Sequence, residues 1–111
     1  MDAGGGMMRE SQLLRQVLAL LQARRVPHWR NNTGAARFGR RLVRFGVAGL
    51  PDVFAVLPPA GRLLGLELKS PAGRQTAAQA AVAAALESAG ALYAVVRDVR
   101  QLNAILDEVL P

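Results

Sequence analysis

Cysteine is absent from this chain of 111 residues, and its absence excludes disulfide bonds and thiolate metal sites. Apolar runs of membrane-spanning length are also absent, and the N-terminus lacks the layout of a signal peptide. We therefore expect a cytoplasmic protein with no membrane partner. The length is enough for one domain with a single core and too short for two.

Lysine is almost absent as well, because each of the 14 basic residues except Lys69 is an arginine. Lysine carries a compact charge whose pKa can move, whereas a guanidinium stays protonated and planar. The exception at position 69 indicates that an ammonium group is needed there, although a single residue can also arise by chance.

Acidic residues are missing between residues 11 and 51, while the net charge of the whole chain is +6. An arginine-rich block without acids is typical of a surface that binds a polyanion. It is also compatible with an ordinary solvated face, and the acids that follow the block favour nucleic acid. The arginines of the block are Arg15, Arg24, Arg25, Arg30, Arg37, Arg40, Arg41 and Arg44.

The segment that follows this block predicts a β-hairpin. Residues 53–57 form a continuous apolar run, and residues 62–69 resume the apolar pattern. Between them, residues 58–61 (Pro-Pro-Ala-Gly) have strong turn chemistry. Two antiparallel strands joined by a tight turn are therefore expected.

The register of this hairpin brings two acids together. If Leu57 faces Arg62, Asp52 lies directly opposite Glu67, and Lys69 shares the face of Glu67 because side chains alternate. Two opposed carboxylates destabilise a hairpin unless Lys69 and a divalent cation compensate them. Carboxylate oxygens suit Mg²⁺ or Mn²⁺. A slip of one residue would instead place the acids on opposite faces.

These residues resemble the motif of the PD-(D/E)xK nuclease superfamily, with Pro51-Asp52 as its first part and Glu67-Leu68-Lys69 as its second. The flanking segments extend the resemblance. They are Trp29 to Ala35, Arg44-Phe45-Gly46, Gly49-Leu50, and Gly73-Arg74-Gln75-Thr76 with Gln79. Together they are similar to the VRR-NUC domain, the virus-type replication-repair nuclease, in its short stand-alone form. The resemblance covers residues 10 to 96.

The resemblance implies a restriction-endonuclease-like core and a metal-dependent endodeoxyribonuclease that hydrolyses phosphodiester bonds in phage or bacterial replication and repair. Its expected substrates are branched DNA and Holliday junctions, and its expected state is a homodimer, which the alanine-rich helix or the last helix would join. We expect structure-selective cleavage, because a domain of this size has little surface with which to read bases.

The implied catalytic residues are Asp52, Glu67, Lys69, Glu10 and Gln79. The implied metal ligands are Asp52, Glu67, the backbone carbonyl of Leu68 and Glu10. Lys69 would position or deprotonate the attacking water, or stabilise the developing charge. Two of these residues have alternative roles: Glu10 can favour the positive end of a helix dipole, and Gln79 can complete a capping box with Thr76.

The remaining chain is organised around this hairpin. Residues 1–8 are expected to be a disordered tail, and residues 9–111 a single domain. Leucines at helical spacing predict a first helix from Arg9 to Ala23. The other expected elements are strands at Val26–Arg30 and Arg41–Phe45 around a polar loop, a helix opening at Thr76 and ending at Gly90, a strand at Leu92–Val96 and a helix at Gln101–Leu110. The order is a helix, two to four strands, a helix, a strand and a closing helix. With the core order α-β-β-β-α-β, it predicts an α/β fold with a mixed sheet flanked by helices.

Several polar residues are candidates for contacts with nucleic-acid phosphates, each with ordinary turn or surface chemistry as the alternative. His28 and Trp29 are instead expected to be packed residues. The candidates are Arg30, Asn31, Asn32, Thr33, Arg37, Arg40, Arg41, Arg44 and Arg74.

Two other functions stay open. A non-catalytic nucleic-acid-binding module would use the arginines and treat the acids as structural, with binding that is indifferent to Mg²⁺ and to loss of Asp52. A nuclease subunit of a larger assembly would bind metal but cleave only with its partner. The combination of Asp52, Glu67 and Lys69 argues against the first, and nothing in the sequence excludes the second.

Overall fold

A computed structural model of the protein describes residues 9–32 and 34–111. The predicted tail at residues 1–8 and the candidate phosphate contact Thr33 lie outside the described residues. The elements are α1 (Glu10–Ala23), β1 (His28–Arg30), β2 (Gly34–Phe38), β3 (Arg41–Phe45), β4 (Val53–Leu57), β5 (Arg62–Leu68), α2 (Ala77–Ser88), β6 (Leu92–Val96) and α3 (Val99–Val109).

Strands β1, β4, β5 and β6 form a four-stranded sheet in that order. Strand β4 is antiparallel to both of its neighbours, whereas β6 is parallel to β5. A parallel pair needs a crossover, and α2 supplies it between β5 and β6. The predicted α/β class, a mixed sheet flanked by helices, is confirmed.

The hydrophobic core lies between one face of this sheet and helices α1 and α3. The apolar residues of α1 recur every four positions and so form one stripe that packs on the sheet. Helix α3 contributes a shorter stripe beside it. Each of these side chains is at most 4% exposed: Leu13, Val17, Leu21, Val53, Ala55, Leu64, Leu66, Leu68, Val96, Leu102 and Leu106.

Helix α2 packs on the opposite face of the sheet, at Gly65. A Cβ atom on Gly65 would lie 2.9 Å from Cγ of Pro51 and 3.4 Å from Cδ1 of Leu86 on α2. The neighbours Leu64 and Leu66 point to the core face, because side chains alternate along a strand. The missing side chain at Gly65 thus lets α2 approach the strand that carries Glu67.

The prediction of a loop between the first two strands is wrong in part. Residues Gly34–Phe38 form a strand that pairs antiparallel with β3, and the two strands make a separate sheet. The segment Gly-Ala-Ala-Arg-Phe shows little of the apolar alternation that predicts a strand. It is extended because it pairs with β3. The preceding strand is also shorter than predicted and begins at His28.

The predicted ends of α2 are confirmed. The backbone N–H of Gln79 donates to Oγ1 of Thr76 (3.1 Å), and the N–H of Thr76 donates to Oε1 of Gln79 (2.8 Å), which is a capping box. At the other end, Gly90 has a φ of +97° and follows the last helical residues. None of the helices in the described residues has the length and apolarity needed to cross a membrane.

Candidate active site

The predicted hairpin register is confirmed by the pairs Leu57 with Arg62 and Val53 with Leu66. Continued by one residue, this register sets Asp52 against Glu67, where β4 begins and β5 ends. The N-terminal turns of α1 and α2 reach the same end of the sheet, as the contacts of Glu10 and Gln79 described below demonstrate.

Asp52 is held in place from two sides. Its Oδ2 accepts a hydrogen bond of 2.7 Å from the backbone N–H of Leu68, across the end of the hairpin. Its backbone carbonyl accepts from the N–H of Asn31 (2.8 Å), and the amide side chain of Asn31 donates to the carbonyl of Pro51 (2.8 Å). The predicted phosphate donor Asn31 therefore positions the Asp52 peptide with its amide nitrogen.

Glu67 is a buried carboxylate, with 3% of its surface exposed. Its Oε2 accepts from Nε2 of Gln79 at 2.9 Å, whereas Oε1 is buried and has no hydrogen-bond donor among the described residues. Burial and, next, the charge of Asp52 raise the pKa of Glu67 to about 8. Without a cation, Glu67 is therefore mostly protonated at neutral pH.

Lys69 extends from the same end of β5 and is largely buried, with 13% of its side chain exposed. Its Nζ lies 3.9 Å from Oε2 of Glu67, so the two residues share a face as predicted. This ion pair is long, and the positive charge of Lys69 lowers the pKa of Glu67 by less than burial and the charge of Asp52 raise it. The ammonium group alone therefore does not compensate the two acids.

Glu10 in the first turn of α1 reaches the same region. Its Oε1 accepts a hydrogen bond of 3.3 Å from the backbone N–H of Ser70, directly after Lys69. The structure therefore brings Glu10 together with the hairpin acids, while its place at the helix N-terminus also suits the dipole role.

Gln79 forms the predicted capping box and also contacts Glu67; its catalytic role stays a prediction. Its oxygen caps the N-terminus of α2 through Thr76, and its nitrogen donates to Glu67. Because the cap locks the side-chain orientation, the amide is directed at Oε2 of Glu67 before any ligand binds.

A cleft of about 470 Å³ opens beside these acids. The cleft is lined by the acids Glu10 and Asp52 and by Leu68. Basic and polar residues line it as well, including Arg15, Arg30, Asn31 and Asn32. Negative charge that suits a cation and positive charge that suits an anion therefore occur in one opening.

The residues fit a Mg²⁺ or Mn²⁺ ion. Among the described residues, no three Asp, Glu, His or Cys side chains form a complete ligand cluster, so the protein would supply chiefly the two carboxylates of Asp52 and Glu67. Mg²⁺ commonly binds one or two carboxylates and fills its other positions with water and substrate phosphates. The unpartnered Oε1 of Glu67 is the observation that favours a cation here. Ligation by the Leu68 carbonyl stays a prediction.

Arg97 is a residue of this region that the sequence analysis did not identify. Its Nη1 donates to the backbone carbonyls of Ser70 (2.8 Å) and Gly73 (2.6 Å). These bonds hold the turn that follows Lys69, so Arg97 is a positioning residue for that end of β5. An isolated arginine after a strand carries no pattern that predicts such a contact.

The other predicted residues divide into three groups. Arg30 and Asn32 line the cleft, and Arg74 is exposed in the turn before α2. The others belong to the separate β2–β3 sheet or, for Arg40, to the turn between its strands: Arg37, Arg40, Arg41 and Arg44.

The basic block also includes a structural residue. Arg24 pairs with Asp107 at 3.0 Å and donates to the side chain of Asn103 at 2.9 Å, which ties α1 to α3. Its charge is therefore engaged within the fold, and the block is not uniformly a binding surface.

The predictions for the two aromatic residues of β1 have different outcomes in the structure. His28 is half-buried, and its Nδ1 lies 2.8 Å from the carbonyl of Val26, in agreement with a packed role. The expectation that Trp29 belongs to the core is wrong, since 48% of its surface is exposed. Its ring meets Phe54 edge-on, with centroids 5.8 Å apart, because a three-residue edge strand has no further strand to cover it.

Comparisons of the chain with protein-family models, with curated proteins and with solved structures found no match. The function proposed below is therefore inferred from the geometry and charges of Asp52, Glu67, Lys69 and the adjacent cleft.

Proposed function

We propose that the chain is a metal-dependent, structure-selective DNA endonuclease that hydrolyses phosphodiester bonds, with Asp52 and Glu67 as ligands of Mg²⁺ or Mn²⁺. The observation that carries the proposal is the buried Oε1 of Glu67, which has no donor among the described residues and lies in a carboxyl pair with Asp52. Ionising a buried carboxyl group that has no partner is costly, so the metal-free site keeps the proton, and a bound cation would compensate the charge of the ionised form.

The chemistry of the site follows from its charges. When bound, a divalent metal lowers the pKa of its water and polarises the phosphoryl oxygen. Asp52 and Glu67 would hold that metal with Glu10 as a further or water-mediated ligand. Lys69 would position or deprotonate the attacking water, or stabilise the charge that develops on the phosphate. Gln79 would orient Glu67 through the bond that it already makes.

The proposed substrate is branched DNA, including Holliday junctions. Basic and polar residues line the cleft together with Glu10 and Asp52, and such residues suit a phosphate backbone. Membership of the VRR-NUC family, a restriction-endonuclease-like core, a cytoplasmic location and action as a homodimer in phage or bacterial DNA repair are parts of the same proposal. These parts are based on the resemblance of Pro51-Asp52 and Glu67-Leu68-Lys69 to the nuclease motif.

The proposal is tested by nicking of labelled flap, four-way junction, splayed-arm and duplex DNAs in Mg²⁺ or Mn²⁺. We expect metal-dependent cleavage by the wild type, and a loss of about 100-fold or more in Asp52→Asn, Glu67→Gln and Lys69→Met, by analogy with removal of one catalytic charge or donor. Glu108→Gln is the matched control, because Glu108 is an exposed acid on α3 and should leave cleavage unchanged.

Two results would contradict the proposal, and a third would restrict it to a protein that needs a partner. Binding of DNA that is indifferent to metal and to Asp52→Asn, without cleavage, would indicate a non-catalytic binding module. Cleavage that survives in both Asp52→Asn and Glu67→Gln would place the active site elsewhere. Metal binding without cleavage until a cell extract is added would point to a subunit of a larger assembly.

A further inference from the structure

Strands β2 and β3 form a two-stranded ribbon, which we call the β-arm (residues 34–45). Its strands pair with each other along their full length and belong to a sheet separate from the four-stranded one. Each strand has five residues, so the ribbon is roughly 15 Å long at about 3.3 Å per residue. That length exceeds the width of the DNA major groove, which is about 12 Å.

The β-arm is strongly basic and carries no acid. Its arginines are Arg37, Arg40, Arg41 and Arg44, all exposed. The ion pairs formed among the described residues, Arg24 with Asp107, Lys69 with Glu67 and Arg100 with Asp98, lie elsewhere. The charge of the β-arm is therefore complementary to a polyanion.

The tip of the β-arm carries an exposed aromatic ring. Phe38 is the last residue of β2 and is 64% exposed, next to the turn at Gly39 and Arg40. An exposed phenylalanine surrounded by arginines is poorly suited to a protein core. It matches the apolar side chains with which DNA-binding proteins stack on or wedge between bases.

Both ends of the β-arm are joined to the active-site cleft. On one side, Asn31 lines the cleft and holds the Pro51 and Asp52 peptides, and β2 begins at Gly34. On the other side, β3 ends at Phe45, and the chain returns to Asp52 within a few residues. DNA held by the arm would therefore be placed beside the carboxylates.

We propose that the β-arm recognises the branch of the DNA substrate: Phe38 stacks on the base pair exposed at the branch point, while the arm's arginines contact phosphates of the adjoining duplex. In a continuous duplex each base-pair face is covered by its neighbours, whereas a branch leaves faces open, so an aromatic tip distinguishes the two. This inference deepens the proposed function and rests on its DNA-binding part.

The test measures binding by fluorescence anisotropy in the Asp52→Asn background without metal, so that cleavage does not enter. We expect Phe38→Ala to weaken binding to a four-way junction and a splayed arm about tenfold or more, the range of one stacked base. Affinity for a continuous duplex of equal length should change less than about twofold, and Phe38→Trp should restore the branch preference.

Leu42→Ala is the matched control, because Leu42 is also an apolar residue of the β-arm, with 50% of its surface exposed. Leu42 pairs with Arg37 across the ribbon, whereas Phe38 belongs to the next pair, with Arg41. It should keep the branch preference. A 5-iodouracil at the branch point should cross-link to the segment that contains Phe38. The inference is overturned if Phe38→Ala weakens duplex and branched DNA equally or not at all, or if the cross-link lies outside residues 34–45.

The two proposals can fail separately. If the wild type cleaves branched DNA and Phe38→Ala keeps the same branch preference, the arm inference is wrong and the nuclease stands. If no metal supports cleavage but Phe38→Ala abolishes the branch preference in binding, the hydrolytic function is wrong and the arm inference stands.

Discussion

At the scale of single residues, the carboxyl group of Glu67 makes the stability of the metal-free protein depend on pH. Its pKa is raised from 4.5 to about 8, first by burial and then by Asp52. The unfolded chain ionises this group above pH 4.5, while the folded protein keeps the proton until about pH 8. The folded state binds more protons in that window, so stability must fall as the pH rises through it.

We predict that metal-free wild-type protein loses unfolding free energy, on the order of a few kcal/mol, as the pH rises from 4.5 to 8, because the unfolded chain ionises Glu67 while the folded protein keeps it protonated. Glu67→Gln should remove this loss and be more stable than the wild type at pH 8, because an amide cannot ionise. Urea denaturation in EDTA at pH 5 and pH 8 measures the effect. Glu108→Gln serves as the control, since it replaces an exposed acid.

Added Mg²⁺ should stabilise the wild type at pH 8 and leave Glu67→Gln nearly unchanged. A wild-type stability that is flat across this pH range would contradict the burial of an unpaired carboxyl group at position 67.

At the scale of elements, the site depends on the docking of α2 against the loop that precedes β4. Gly49 has a φ of +84°, and a Cβ atom there would lie 2.9 Å from the backbone nitrogen of Gln79 and closer still to the carbonyl of Ala78. The first turn of α2, which aims Gln79 at Glu67, therefore rests directly on a glycine backbone. Any side chain at position 49 must displace that turn.

We predict that Gly49→Ala destabilises the fold by about 3 kcal/mol or more, since it combines a positive φ with overpacking. Gly61→Ala is the matched control: Gly61 has a φ of +79°, but the nearest atom to a Cβ there is 4.0 Å away. That change should cost only about 1–2 kcal/mol of backbone strain. Thermal or urea unfolding of both variants gives the comparison.

Equal losses in the two variants would show that the backbone conformation, and not the contact with α2, decides the cost. Cleavage should also fall in Gly49→Ala under folding conditions and stay unchanged in Gly61→Ala, because only the former moves Gln79.

At the scale of the whole molecule, the proposed cleavage of a junction at two strands would require two active sites, and each chain has one candidate site among its described residues. Helix α2 presents exposed alanines, including Ala80, Ala81 and Ala84, which allow close approach of a second helix. The last helix, α3, is the other candidate surface for a homodimer. An isologous contact through either helix would give a twofold-symmetric pair.

We predict a homodimer in light scattering at micromolar concentration, and its conversion to monomer by Ala84→Glu. A charge at the centre of a close helix contact is desolvated without a partner, which opposes association. Ala104→Glu on α3, also an exposed alanine, should leave the dimer intact if α2 forms the interface. The reverse pattern would assign the interface to α3, and a monomeric wild type would contradict dimerisation.

The sequence alone determined the features that depend on near neighbours in the chain. The turn at residues 58–61 set the hairpin register, and with it the opposition of Asp52 and Glu67. Helical spacing defined the buried stripe of α1, and the Thr76–Gln79 capping box marked the start of α2. Each of these follows from periodicity or from a local hydrogen bond, which residue types a few positions apart specify.

Only the tertiary structure decided the contacts between distant segments. The pairing of β2 with β3 and the hydrogen bonds from Arg97 to the turn after Lys69 each join residues whose local sequence carries no sign of the partner. The resemblance implied Gln79 as a site residue, but only the packing of α2 directs its amide at Oε2 of Glu67. The exposure of Trp29 and the burial of Glu67 also depend on which strands and helices cover them. Burial and long-range hydrogen bonds are properties of the packed chain, so residue spacing along it does not predict them.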